Sequence, residues 1–353
     1  MRKSLLFLIS MLAFLMVLTA CVESQQSAGD DGDQSSSGSE GTSNEEASGE
    51  GRTYEFNLSH VTPPSHNWQK TAEKFGEELE TLSDGRMELE IFPNGQLGSE
   101  GDMIQQIETG TLSFGIITNA YLSNRIDSLN GWFMPFLFDD LEEANAAKET
   151  EMAQQFLDDV TNDSMLAIDF AFAGNRHILM TEGEVTSPED IEGKKMRIIG
   201  SPAMQDFWVE SGASPTPMPL PDVYTSLQNG VIDGIDIDLD ALVSLKLHEI
   251  AQDLTLTNHM SFPSVVVMSK QVRAELPEED LQIVDEALES AIEWGIQDQI
   301  QREQDNLAFL EENGMNITEF DNHDTFLDII DSVYTNYGDE NEAIQALIEE
   351  YQD

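Results

Sequence analysis

Apolar and polar residues alternate from Tyr54 to Ser59, the period-two signature of a strand. Beyond the rigid turn at Pro63 and Pro64 the apolar positions change to helical spacing. Trp68, Ala72, Phe75, Leu79 and Leu82 predict a helix from Asn67 to Leu82, closed by Gly85. Met87 to Phe92 reads as a second strand, a helix is expected around Met103 to Ile107, and a third strand runs from Leu112 to Ile117. This β-α-β-α-β order with short Gly- and Pro-marked turns predicts a parallel sheet covered by helices. A later unit has the same plan, with strand Lys195 to Ile199, helices near Met204 to Ser211 and Asp222 to Asn229, and strand Ile232 to Ile237. From Glu278 to about Asn313, Leu281, Val284, Leu288, Ile292, Ile296, Ile300, Leu307 and Leu310 recur at near-helical spacing. A helix of that length can run across two domains. Two more helices are expected near Thr325 to Tyr337 and Asn341 to Tyr351.

The first residues follow a different rule. Arg2 and Lys3 precede an apolar run from Leu5 to Leu18, then Leu18-Thr19-Ala20-Cys21 places small residues before the chain's single cysteine. A charged start, an apolar stretch and a small-residue cleavage site predict a signal peptide over residues 1–20. The run is short for a membrane span of about 20 residues. Its small-residue ending before cysteine resembles the bacterial lipoprotein box, which implies lipidation at Cys21. One cysteine excludes an internal disulfide. From Glu23 to Gly51 the residues are nearly all Ser, Gly, Gln, Asp, Glu, Asn and Thr, too polar to offset ordering entropy. Residues 21–51 are therefore expected to be a lipidated cysteine with a disordered acidic linker, and the protein is expected outside the cytoplasm, tethered to the cell membrane.

Charge narrows the habitat and excludes one class of partner. With 16 basic and 68 acidic residues the chain carries a net charge of −52. Binding to nucleic acid through phosphates requires the opposite sign. The acids are spread along every predicted helix, which points to a hydrated surface suited to high salt, where screening removes self-repulsion. In such a composition paired carboxylates carry no information about catalysis. No nucleophile elbow and no metal-ligand histidine cluster is present, so neither catalysis, cofactor nor metal is expected.

Four segments carry a family resemblance: IFPNGQLGSE (Ile91 to Glu100), GKKMRI (Gly193 to Ile198), GASPTPMPLPDVYTSLQNGVIDG (Gly212 to Gly234) and LPEEDLQIV (Leu276 to Val284). Together they resemble the DctP family, the extracytoplasmic solute receptors of tripartite ATP-independent periplasmic (TRAP) transporters, in the family's order and spacing from Arg52 to Asp353. The resemblance implies an α/β, two-lobed periplasmic-binding-protein-like fold of the class II type, with hinge strands and a long helix spanning both lobes. It divides the chain into residues 52–173 plus about 263–303 for the first lobe, and 174–262 plus about 304–353 for the second. It implies a small organic acid as ligand, the small and large membrane subunits of a TRAP permease as partners, and no chemistry on the ligand.

Cations are scarce, so each arginine is informative. A guanidinium matches a carboxylate with two parallel hydrogen bonds. The resemblance makes Arg197, in the GKKMRI strand, the main carboxylate clamp, and Arg176, in Ala173-Gly174-Asn175-Arg176-His177, a support from the hinge. Glu100, in the QLGSE loop, is placed facing the cleft. Thr118, Asn119 and Tyr121 follow the end of the third strand, where open parallel sheets bind ligands. His60 and His66 bracket the Pro63-Pro64 turn and point to the same place. Phe207, Trp208 and Leu220 are candidates for apolar walls.

One departure from the family stands out. Many relatives continue after the IDG triplet with Gln-Glu-Asn-Pro, whose Asn reaches the ligand. Here Ile237 holds that position, in Ile235-Asp236-Ile237-Asp238, and cannot donate a hydrogen bond. Alternation puts Asp236 and Asp238 on one face of the strand. If they face the cleft, the ligand carries hydroxyl or cationic groups beside its carboxylate: a sugar acid, a hydroxy acid, or a zwitterion such as an ectoine-like osmolyte. The competing classes are an exported hydrolase and a two-lobed receptor serving an ABC importer or a sensor.

Overall fold

The computed structural model describes residues 51–352, so the expected signal peptide, Cys21 and the expected linker up to residue 50 lie outside the described residues. The first lobe opens with β1 (Tyr54–Ser59), α1 (Asn67–Leu82), β2 (Met87–Phe92), α2 (Glu100–Glu108) and β3 (Phe114–Thr118). Short helices α3 (Asn119–Leu122), α4 (Leu141–Ala147) and α5 (Glu151–Val160) lead to the long strand β4 (Met165–Asn175). The second lobe contributes β5 (His177–Met180), β6 (Lys195–Ile198), α6 (Pro202–Glu210), β7 (Ser214–Pro217), α7 (Val223–Gln228), β8 (Gly234–Ile237), α8 (Leu239–Ser244) and β9 (Asp253–Leu256). The chain returns through β10 (Ser261–Ser269) and α9 (Lys270–Arg273) to α10 (Glu278–Glu312), then β11 (Asn316–Glu319), α11 (Leu327–Glu340) and α12 (Glu342–Tyr351).

Two sheets result, ordered β2-β1-β3-β10-β4 and β11-β9-β5-β8-β6-β7. The parallel pairing expected from the motif order holds for β1 with β2 and β3, and for β6 with β7 and β8. It does not extend to the whole of either sheet. β10 runs antiparallel to β3 and β4, and β5 antiparallel to β8 and β9, because these strands carry the chain between lobes in opposite directions. The crossings are Arg176, between β4 and β5, and residues 257–260, between β9 and β10; the Arg176 N–H donates to Met260 O at 2.7 Å and the His259 N–H to Arg176 O at 3.2 Å.

Local chemistry explains the helices. The N-cap of α1 is His66, whose Nδ1 accepts from the Trp68 N–H at 3.1 Å, while Trp68, Ala72, Phe75 and Leu79 bury one face. Ser99 and Asp102 form a reciprocal capping box on α2. Helix α10 packs on α1 where Gly295 meets Thr71; a Cβ there would lie 2.2 Å from Thr71 Oγ1. Val284, Leu288, Ile292 and Ile296 of α10 belong to the larger core, whereas Leu310 joins the smaller core under the second sheet, so this helix spans both lobes. Among the described residues no helix is long and apolar enough to cross a membrane.

The segment from residue 304 onward, expected wholly in the second lobe, is divided. β11 joins the second sheet and α11 packs on α6, but α12 returns to α5 and the first lobe. Tyr351 meets Phe138 at 5.1 Å between ring centroids, and Ile344, Leu347 and Ile348 bury themselves in the larger core. An amphipathic terminal helix goes where its apolar face finds cover, which strand-to-lobe reasoning does not anticipate.

Candidate functional site: a cleft between the lobes

A cavity of about 510 Å³ lies where the C-terminal ends of parallel strands from both sheets converge. The first lobe supplies Val61, Thr62, His66 and Trp68 after β1, the turn around Asn94 and Glu100 after β2, and Thr118 and Tyr121 after β3. The second supplies Arg197 on β6 and Ile199 just after it, the proline-rich turn from Pro217 to Asp222, and Asp238 and Ala241 after β8. Ala173, Arg176 and Phe262 form the hinge wall.

The two arginines differ in how their donors are used. Arg176 is 2 % exposed and held on all sides. Its Nε and Nη2 donate to the carboxylate and the carbonyl of Asp236, its Nη1 to Asp238 Oδ2 at 2.9 Å, and its guanidinium lies 4.4 Å from the centre of the Phe262 ring. Asp236 accepts further from His259 Nε2 at 3.0 Å and Trp208 Nε1 at 3.3 Å. Burial alone would raise its pKa, but the Arg176 charge and the His259 and Arg176 hydrogen bonds outweigh it and hold Asp236 well below the usual carboxylate range.

Arg197, 1 % exposed, has no such partner. Its Nε and Nη2 both donate to Met218 O, at 3.0 and 2.8 Å, while Nη1 has no acceptor. No carboxylate among the described residues pairs with it. Burial, with the like charge of Arg176, brings its pKa down to about 9, so it is still a cation at neutral pH but a poorly compensated one. Glu100 accepts from the Thr118 N–H at 2.7 Å, and burial pushes its pKa up to about 7 against that hydrogen bond.

The cleft is lined by Arg197, Arg176, Glu100, Thr118, Tyr121, His66 and Leu220 among the positions singled out from the sequence. Six others do not line it. His60 is turned inward between Gln69 Oε1 at 3.0 Å and the Thr62 hydroxyl at 2.9 Å, and burial lowers its pKa to about 4. Asn119 is fully buried at the start of α3. Phe207 and Trp208 pack in an aromatic cluster with His259 and Phe326. Asp236 stands behind Arg176 with its oxygens occupied. Ile237 faces the smaller apolar core with Ile235, Leu179 and Leu254, so the position expected to lack a ligand-directed donor is a core position.

Trp68, Phe262 and Ile199 line the cleft without having been singled out for it. Trp68 sits in the apolar stripe of α1, where helical periodicity cannot separate a cavity wall from core. Its neighbour His66 carried the only nearby signal, being polar at a strand-to-helix turn.

The profile of the DctP family, bacterial extracellular solute-binding protein family 7, matches residues 58–340. A solute-binding protein of Roseobacter denitrificans is 33% identical over 264 residues, 75% of this chain and 81% of that one. Among solved structures, a TRAP periplasmic solute-binding protein from Bradyrhizobium in complex with α/β-D-galacturonate superposes with a TM-score of 0.78 at 27% identity, covering 85% of this chain and 100% of that one. Another from Sulfurospirillum deleyianum, with bound succinate, gives a TM-score of 0.80 at 25% identity, covering 85% of this chain and 99% of that one. The chain belongs to the DctP family, the extracellular solute-binding receptors of TRAP transport.

Proposed function

We propose that this receptor binds a small organic acid by its carboxylate on Arg197 and delivers it to a TRAP permease for cation-coupled uptake. The observation that carries the reading is a buried guanidinium that lines the cavity and whose Nη1 has no hydrogen-bond partner among the described residues. A buried charge without a partner is costly, and an arriving carboxylate supplies the partner. The ligands bound by the two similar structures, galacturonate and succinate, are both carboxylates. Ligand bridging the lobes favours the closed arrangement, and the closed form is what the permease subunits recognise. The ligand undergoes no reaction.

The lipid on Cys21 and the acidic linker hold the receptor near its permease, and the surface charge suits a salt-rich medium. Isothermal calorimetry tests the central step. Arg197→Ala is expected to lower affinity for any carboxylate ligand by at least about a hundredfold, the scale of a lost charge-assisted pair. Unchanged affinity in that variant would sink the assignment.

A further inference from the structure

We propose that the ligand is a hydroxylated monocarboxylic acid whose neutral hydroxyl end is held by His66 Nε2, Trp68 Nε1 and Asp238. This rests on the reading of Arg197 as the carboxylate site and concerns the opposite wall of the same cavity.

Three cavity-lining residues carry buried N–H groups with no hydrogen-bond partner among the described residues: Arg197 Nη1, His66 Nε2 and Trp68 Nε1. An unmade hydrogen bond on a buried donor is expensive, so three such donors around one cavity call for acceptor oxygens. Arg197 belongs to the second lobe. His66 and Trp68 sit together at the start of α1 in the first lobe, their rings 5.3 Å apart and edge to face. A ligand satisfying all three must present acceptors at both ends and span the cleft.

The chemistry of the far end follows from its neighbours. His66 Nδ1 accepts from the Trp68 N–H, so in the neutral ring the proton is on Nε2 and that atom is a donor. Asp238 Oδ1 and Asp240 Oδ2 each lie 3.8 Å from His66 Nε2, too far for a hydrogen bond. Asp238 shares Arg176 with Asp236, two carboxylates against one guanidinium. A second ligand carboxylate at this end would meet like charge. A ligand cation would accept nothing from His66 or Trp68. A hydroxyl fits both demands, since it accepts from an N–H and donates to Asp238. The class is therefore hydroxy acids and sugar acids, in preference to plain dicarboxylates and cationic zwitterions.

Calorimetry on the purified receptor with D-gluconate, D-galacturonate, adipate and hexanoate tests this. At least one of the two hydroxylated acids is expected to bind tenfold or more tightly than adipate and hexanoate. Trp68→Phe keeps the ring and removes its N–H; His66→Asn keeps a helix-capping oxygen and removes the reach of Nε2. Each is expected to lower the affinity for the hydroxylated acid relative to hexanoate about tenfold, with thermal melting confirming that both variants fold. Adipate binding as tightly as the better hydroxylated acid overturns the inference. So does failure of both hydroxylated acids to bind, or an unchanged ratio of hydroxylated acid to hexanoate in both variants. Loss of all binding in Arg197→Ala alongside such a result leaves the carboxylate reading standing. Retained binding in Arg197→Ala overturns that reading instead.

Discussion

Arg176 and Arg197 are almost equally buried, 2 % and 1 % exposed, and both reach the same cleft, yet they are opposites chemically. Arg176 is saturated: two carboxylates, a carbonyl and an aromatic face surround it at the crossing between lobes. Arg197 is held in place by a single neutral carbonyl, Met218 O, and keeps one donor idle. Orientation without neutralisation is what a binding site requires, because a neutral acceptor fixes the guanidinium but leaves its charge available. Neutralisation is what a hinge requires, because a charge buried in both open and closed states must be compensated in both. On the proposed reading, two arginines with similar burial serve different functions through their partners.

The largest effect separates them by stability. Asp236→Ala leaves Arg176 with Asp238 as its one carboxylate and takes the acceptor from His259 and Trp208, and is expected to cost about 3–5 kcal/mol in urea unfolding, as for a broken buried pair. Arg197→Met, which strands no carboxylate, is expected to cost less than about 1.5 kcal/mol, the worth of a neutral hydrogen bond. Equal losses in the two variants would erase the distinction.

A smaller effect sharpens the contrast at the edge of the cleft. Asp240 begins α8 of the second lobe but accepts from the Asn67 N–H of the first lobe at 2.7 Å, and from Arg302 at 3.2 Å. This carboxylate caps α1 in trans and ties the lobes together without lining the cavity. Asp240→Asn is expected to weaken ligand binding about fivefold by disfavouring closure, visible in calorimetry as a change in affinity with every ligand alike.

The smallest effect concerns Glu303 of α10, which accepts from the Asn175 N–H at 2.8 Å beside the hinge. Gly174, at φ +122, leaves room for it; a Cβ there would lie 2.8 Å from Glu303 Oε1. Burial, then the charge of Asp238, raises its pKa to about 7 from an ordinary 4.5. Between those values the folded protein holds a proton that the unfolded chain does not. Its contribution to stability is therefore full below pH 4.5 and is lost as pH rises through 7. Glu303→Gln keeps the acceptor and removes the charge. Its melting temperature is expected to exceed the wild type by about 2 °C at pH 8 and to match it at about pH 4.5.

Much of the fold is legible in the sequence because periodicity reports burial directly. The strands at Tyr54 and Met87, the helix from Asn67 and the helix from Glu278 begin where the pattern places them. The return of α12 to the first lobe is not legible, since an apolar helix face says that it is covered and not by what. In the site, Arg197 stands out because cations are rare in this chain. His60 and Phe207 are misplaced because position after a strand gives the neighbourhood of a side chain and not its direction. Trp68 is hidden by its helical stripe.

The sequence by itself determined the family, the two α/β units, the spanning helix and the scarcity of cations from which a clamp could be chosen. These are local or compositional properties, set by spacing and residue type. Only the tertiary structure decided which arginine is neutralised. Both guanidiniums sit in a chain rich in carboxylates, and whether one finds a partner depends on strands brought together from distant segments. Asp236 and Asp238 reach Arg176 because β8 lies beside β5, whereas β6 turns Arg197 toward a carbonyl and an open cavity.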